Sequence, residues 1–338
     1  MNAMRDLMIE RNAWNRCRYV RHAQGGHYES YFQRANHPER PLAFWIRYTV
    51  FSPKARAEDP VGELWAIYFD GENGRIAAAK EAFPLAACRF SDAGLDVRIG
   101  PAALTEGRLD GRASGRSHAL QWALHYAGDE PPLLLLPLSF YDRGFPKAKA
   151  LVPMPNAAFE GVLTVDGEAI RIEGWRGSQN HNWGNQHTDS YAWGQVAGFD
   201  NAPEAFLECS TARLRIGPVW TPPLTLVVVR IDGREFALNS LIRAVRARGR
   251  FDFFDWRIES RCSEFRLSAH IHAPQSAFVG LNHANPLGGT KTCLNTKLAA
   301  CELTLVQAGQ APRTFTTKHR AAFEILTERR DHGIPIVA

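Results

Sequence analysis

Leu224-Thr-Leu-Val-Val-Val-Arg-Ile231, then Asp232-Gly233, then Arg234-Glu-Phe-Ala-Leu-Asn-Ser-Leu241 is the stretch that decides the fold class. An apolar, β-branched run leads into Asp-Gly and a second run, Glu235 to Leu241, leads out of it. Asp-Gly between such runs predicts a tight hairpin, because a two-residue type I′ turn needs positive φ at both central residues. The same signal recurs at Asp70-Gly71, Asp110-Gly111 and Asp166-Gly167, where Gly161 to Val165 enters the turn and Ala169 to Glu173 returns.

Away from the turns the pattern alternates. Phe44, Ile46, Tyr48 and Val50 point one way, with Trp45, Arg47 and Thr49 the other. Phe265, Leu267, Ala269 and Ile271 alternate with Arg266, Ser268, His270 and His272, and Leu298 to Val306 continues in kind. A period of two marks half-buried antiparallel strands. Helical periodicity is weak; its best stretch is Ala55 to Tyr68, which Pro60 interrupts. The expected fold is mainly β, with antiparallel barrels or sandwiches. A chain of 338 residues has room for two of them. We place them at 1–195 and 196–338, with Asn201 and Pro203 just beyond the junction.

Hydrophobic residues make up 45% of the chain and charged residues 22%, ordinary for a globular protein. The most apolar stretch, Pro131 to Leu138, is far short of the ~20 residues that span a bilayer. Asp6, Glu10 and Arg11 break up the start of the chain, so no signal core is read there and a cytoplasmic location is expected. Cys17, Cys88, Cys209, Cys262, Cys293 and Cys301 lack metal or redox spacing and are expected to be thiols. The net charge is +5, concentrated at Arg243, Arg246, Arg248 and Arg250. One basic run without interleaved aromatics argues against a nucleic-acid surface and leaves peripheral membrane contact open.

Ser178-Gln-Asn-His-Asn-Trp-Gly-Asn-Gln-His187 breaks the run of strands. Trp175 precedes it, and Tyr191, Trp193 and Gly194 follow. Amides and imidazoles among tryptophans read either as the lining of a pocket or as a buried amide network at a barrel corner. Gly-x-Ser-x-Gly, Walker and dinucleotide-binding glycine motifs are absent, and no cofactor is expected. His270 and His272 share a strand face that His181 or His187 would have to join to hold zinc; without a third ligand at defined spacing, no metal is expected.

Two segments carry a family resemblance. Tyr28-Glu29-Ser30-Tyr31-Phe32 resembles the Glu-Trp-Trp-Tyr-Phe strand of the carotenoid 1,2-hydratase (hydroxyneurosporene synthase) superfamily. His181-Asn182-Trp183-Gly184, followed by Trp193-Gly194, resembles its Asp-His-Asn-Trp-Gly…Trp-x-Trp-Gly segment. Here Asn180 stands in place of the Asp, and Ser30 and Tyr31 in place of an aromatic pair. That superfamily includes tocopherol cyclase-like proteins and lipocalin-like enzymes of Diels–Alder cyclisation. The resemblance implies two lipocalin-like β domains with a hydrophobic ligand in or between them.

Hydrating or cyclising an isoprenoid or polyketide requires a proton donor kept protonated in a dry pocket and a means of controlling the cation formed. The resemblance carries His181 and Trp183 into such a site. Glu208, inside the apolar run Ala205-Phe-Leu-Glu-Cys209, is the candidate second acid, with Asp189 and Asp200 as competitors. Glu29 is a third catalytic candidate, or else a salt-bridge partner of an arginine such as Arg47. Trp193, Asn182, Gln179, Tyr31 and Trp175 complete the expected ligand-binding set, with indole faces holding the cation. The expected partner is a hydrophobic small molecule, handled by a hydratase or cyclase, or else carried without chemistry. Oligomeric state is not legible.

Overall fold

In the computed structural model, which describes residues 2–21, 25–54 and 60–337, and side chains from residue 6 onward, the strand Leu42–Ser52 shows how the molecule is built. Its alternation is the expected one, yet nearly every residue is buried. Phe44, Ile46 and Tyr48 enter one apolar cluster, whereas Ala43 and Trp45 enter another. The first cluster fills a curled sheet, and the second lies between that sheet and its neighbour.

The first sheet is antiparallel and runs in the order Arg75–Pro84, Val61–Asp70, Leu42–Ser52, His27–Asn36, Glu168–Gly184, Ala148–Val165, Ala119–Ala127, Arg108–Ser114, Ala102–Thr105, Asp96–Ile99, Cys88–Phe90. It curls into a nearly closed barrel: the edge strand Arg75–Pro84 meets Arg108–Ser114, where Ser114 N–H donates to Glu81 (3.1 Å). Tyr31, Phe44, Tyr48, Trp122, Phe159 and Trp175 fill the interior. The helix Asn2–Asn15 is tied to the barrel by Arg11, which donates to the carbonyls of Gly128 and Glu130.

The second sheet runs Arg234–Leu238, Leu224–Ile231, Ala202–Arg213, Ser190–Phe199, Arg313–Thr327, Thr290–Gln307, Phe265–His272, Asp255–Arg261, Arg248–Asp252. It has its own core around Phe199, Leu207, Val229, Trp256 and Phe323. A third cluster, including Phe32, Trp45 and Trp65 from the first sheet and Trp193, Leu281 and Leu326 from the second, joins the two. This is the mainly β, two-part lipocalin-like architecture expected from the sequence. The chain passes from one sheet to the other between Gly184 and Ser190. The boundary expected at 195/196 therefore falls inside the strand Ser190–Phe199.

Two of the four Asp-Gly pairs are two-residue hairpin turns with positive φ at both positions, Asp166-Gly167 (52° and 88°) and Asp232-Gly233 (51° and 71°). Asp70-Gly71 opens a longer connection in which the Asp70 carboxylate accepts from Glu72 and Asn73 N–H. Asp110-Gly111 lies within the strand Arg108–Ser114 and makes no turn. A Cβ on Gly111 would come within 2.4 Å of the Ala102 Cβ, so packing is what excludes a side chain there. The weak helical periodicity at 55–68 builds no helix in its described part: 55–59 lie outside the described residues, and Val61–Asp70 is a strand buried against its neighbours. All six cysteines are free.

Candidate functional site

The strand Glu168–Gly184 carries the polar cluster, and alternation sends its side chains to opposite faces. Gln179, His181 and Trp183 face the barrel end; Ser178, Asn180 and Asn182 face the second sheet. The ten-residue cluster is thus two sites that share one backbone.

On the barrel side, His181 lies opposite Tyr31 in register and stacks on its ring (centroids 4.2 Å apart). Its Nε2 is 2.9 Å from the Glu29 carboxylate and its Nδ1 is 2.9 Å from the Trp14 carbonyl. Both ring nitrogens face acceptors, an arrangement that a protonated ring satisfies; burial works against it and lowers the His181 pKa, with the Glu29 carboxylate the main opposing influence. Glu29 also accepts from Arg18 N–H (2.8 Å), His27 Nε2 (3.0 Å), and the Cys17 thiol and Tyr31 hydroxyl. Burial pushes the Glu29 carboxyl upward, but the hydrogen bonds from His181 and His27 outweigh it and hold the group well below the ordinary carboxylate range. Gln179 exchanges two hydrogen bonds with Asn15, Arg18 covers Trp183 (3.7 Å), and Trp175 sits in the barrel core against Phe44. The arginine expected to pair with Glu29 is Arg18 (3.8 Å) and not Arg47, because the Glu29 and Arg47 side chains leave their strands on opposite faces.

On the other side, a cavity of about 200 Å³ opens between the sheets, bordered by Trp45, Arg47, Asn182, Trp193, Glu208 and His283 among others. Glu208 is buried on its wall. Its Oε1 accepts from Trp193 Nε1 (2.7 Å) and its Oε2 from Gln195 Nε2 (2.8 Å). The orientation of the Gln195 amide is fixed by Arg34, which can only donate and does so to Gln195 Oε1 (2.8 Å). Ser178 donates to the same oxygen (2.6 Å), and the Gln195 NH₂ also reaches Asn180 Oδ1 (2.7 Å). Burial raises the Glu208 carboxyl from 4.5 to about 7, against the lowering effect of its two donors and of Arg34. A second carboxylate on the cavity, Glu324, accepts from Lys297 Nζ and Asn295 Nδ2, each at 2.8 Å. Among the described residues no cation lies within hydrogen-bond reach of Glu208, whereas Glu324 is paired with Lys297.

Of the expected site residues, Glu208, Trp193 and Asn182 meet at the cavity. His181 also borders it, whereas Glu29, Tyr31, Trp183, Gln179 and Trp175 lie behind it. The indole face expected to hold a ligand cation is taken in Trp193, where Lys297 Nζ lies 5.6 Å from the ring and equally far from Trp45. Asp189 and Asp200 have other partners, Lys291 and Arg320. His270 pairs with Asp255 (2.6 Å) on the second sheet, apart from His181. Sequence reasoning missed Arg34, Gln195, Lys297 and Glu324. The last was detectable, since Ala321-Ala-Phe-Glu324-Ile-Leu326 repeats the charge-in-an-apolar-run signal that marked Glu208.

Comparison with known proteins agrees with this architecture. An uncharacterised protein of Mycobacterium tuberculosis is 26% identical over 284 residues, covering 83% of this chain and 82% of that one. The fold is similar to kievitone hydratase from Nectria haematococca (TM-score 0.54, 13% identity, 90% and 89% of the two chains). It is also similar to CghA, solved with Sch210972 (TM-score 0.57, 12% identity, 89% and 88%). At such identities the likeness is one of fold. The family model described as tocopherol cyclase-like matches residues 146–325, more than half of the chain and spanning parts of both sheets. The chain belongs to the tocopherol cyclase-like family.

Proposed function

We propose that the cavity between the sheets binds an apolar isoprenoid- or polyketide-like molecule and that Glu208 donates a proton to it, promoting hydration or cyclisation. The observation that carries this reading is a buried carboxyl on a cavity wall, raised to about 7 and aimed by two fixed donors. Transfer of the proton to an alkene carbon leaves the Glu208 carboxylate, which Trp193 and Gln195 then stabilise. Water, or a hydroxyl of the ligand itself, adds to the cation and returns a proton to the carboxylate. His181 and Glu29 act as a hydrogen-bonded pair that fixes the strand bearing Asn180 and Asn182. The names of the neighbours, a hydratase among them, support a reaction of this class.

A carrier without chemistry is favoured by one feature, the leucine-rich wall formed by Leu135, Leu136, Leu224 and Leu226. The two readings part at one variant. The ligand would be identified by native mass spectrometry with organic extraction, then followed for turnover. Glu208→Gln is expected to keep the ligand and lower turnover by ~10²-fold or more. Full turnover in that variant would overturn the acid assignment, and a ligand recovered unchanged from the unmodified protein would establish the carrier.

A further inference from the structure

The cavity holds a cation that the proton-transfer chemistry leaves unused. Arg47 leaves the strand Leu42–Ser52 on the face opposite Tyr48 and is 6% exposed. Its Nη2 donates to Ser30 Oγ (2.7 Å), which is itself 2.9 Å from Thr49 Oγ1. Its Nη1 meets His283 Nε2 from the second sheet at 3.2 Å. Its Nε–H is buried and has no hydrogen-bond partner among the described residues. Among those residues no carboxylate lies within ion-pair distance of Arg47 either, whereas buried Lys297 has Glu324 at 2.8 Å and buried Arg320 has Asp200 at 2.7 Å.

The neighbours supply no negative charge. Because a guanidinium only donates, His283 Nε2 is an acceptor and its proton is on Nδ1, which makes the ring neutral. Burial, and then the Arg47 charge, push both His283 and His187 well below the usual imidazole range. The Tyr28 ring lies against His187 (4.0 Å), and burial keeps its hydroxyl a phenol. Asn182, which lies opposite Ser30 in register, has a buried Oδ1 with no partner among the described residues, on the same cavity. A buried cation among neutral groups lacks its balancing charge, a condition costly enough that an anion entering the cavity would be drawn to it.

We infer that the ligand is an organic acid, an apolar molecule carrying a carboxylate or enolate oxygen that the Arg47 guanidinium binds. This rests on the reading of the cavity as a small-molecule site and adds the substrate class. Asn182 Oδ1 would accept from a hydroxyl or N–H on the same molecule. The acid end is held at Arg47, and the apolar remainder lies along the leucine wall within the cavity that Glu208 borders.

A matched pair of probes, octanoate and 1-octanol, separates the charge from the chain. Isothermal titration calorimetry of the full chain is expected to show octanoate binding at least ~10-fold more tightly than octanol. Arg47→Met should abolish that preference and leave octanol affinity unchanged, and Arg47→Lys should retain part of it. Thermal unfolding of Arg47→Met without ligand provides the check on folding. A single cooperative transition shows a folded variant, at the moderate cost of depriving Ser30 Oγ and His283 Nε2 of their donor, whereas octanol affinity lost together with the octanoate preference would mark Arg47 as structural and overturn the inference. Equal affinity for both probes in the unmodified protein also overturns it, as does a preference that survives Arg47→Met, although octanol binding would leave the cavity reading standing. Failure of both probes to bind removes the cavity reading and this inference together.

Discussion

Replacing the Glu208 carboxyl with an amide tests the acid assignment through stability, with no need to know the substrate. The native carboxyl titrates at about 7 and the unfolded one near 4.5. Between those values the native state keeps a proton that the unfolded chain releases, so the native protein loses stability as pH rises through the window. The full difference is about 3 kcal/mol at 1.36 kcal/mol per unit. The amide of Glu208→Gln does not titrate. It faces two donors, Trp193 Nε1 and Gln195 Nε2, so the variant carries a constant cost of about 1–3 kcal/mol. The variation with pH is therefore the diagnostic quantity. Urea unfolding at intervals from pH 4.5 to 8.5 should show the variant gaining about 3 kcal/mol on the unmodified protein across the range. In thermal unfolding the same gain corresponds to about 4 °C for a chain of this length. Parallel stability curves would mean that the native Glu208 carboxyl titrates where the unfolded one does, and the proton-donor mechanism would fall.

Other outcomes follow from the same structure. Glu29→Gln breaks a buried ion pair and should cost about 3–5 kcal/mol in urea unfolding at pH 7. Because the native Glu29 carboxyl is held below its unfolded value, that deficit should shrink as pH drops below the ordinary carboxylate range; a deficit unchanged at about pH 3 would contradict the pairing. Trp193→Phe removes one donor to Glu208 and should move the pH profile of turnover upward by about 1 unit, so an unmoved profile would sever Trp193 from the acid. At Gly177 an added Cβ would come 1.8 Å from the Arg34 carbonyl oxygen. Gly177→Ala should therefore destabilise by about 2 kcal/mol or more in thermal unfolding, and a neutral result would show that the neighbouring strands do not lie this close.

The architecture was legible because it depends on local rules. Period-two alternation marked strands such as Leu42–Ser52 and Phe265–His272, and positive φ at Asp166-Gly167 and Asp232-Gly233 produced the expected hairpins. The same rule failed at Asp110-Gly111, where what excludes a side chain is contact with Ala102 across the sheet. The polar cluster was recognisable as composition, and a glutamate in an apolar run picked out Glu208. The sequence by itself thus determined the strands, two of their tight turns and the presence of an unusual acid. What only the tertiary structure decided was which residues act together. Alternation placed His181 and Asn180 on opposite faces of one strand, and the curl of the first sheet turned one face into a barrel interior. Packing of the second sheet turned the other face into a cavity. Arg34 reaches Gln195 across 161 residues of chain and Arg47 reaches His283 across 236, through contacts that exist only once two sheets have folded and met.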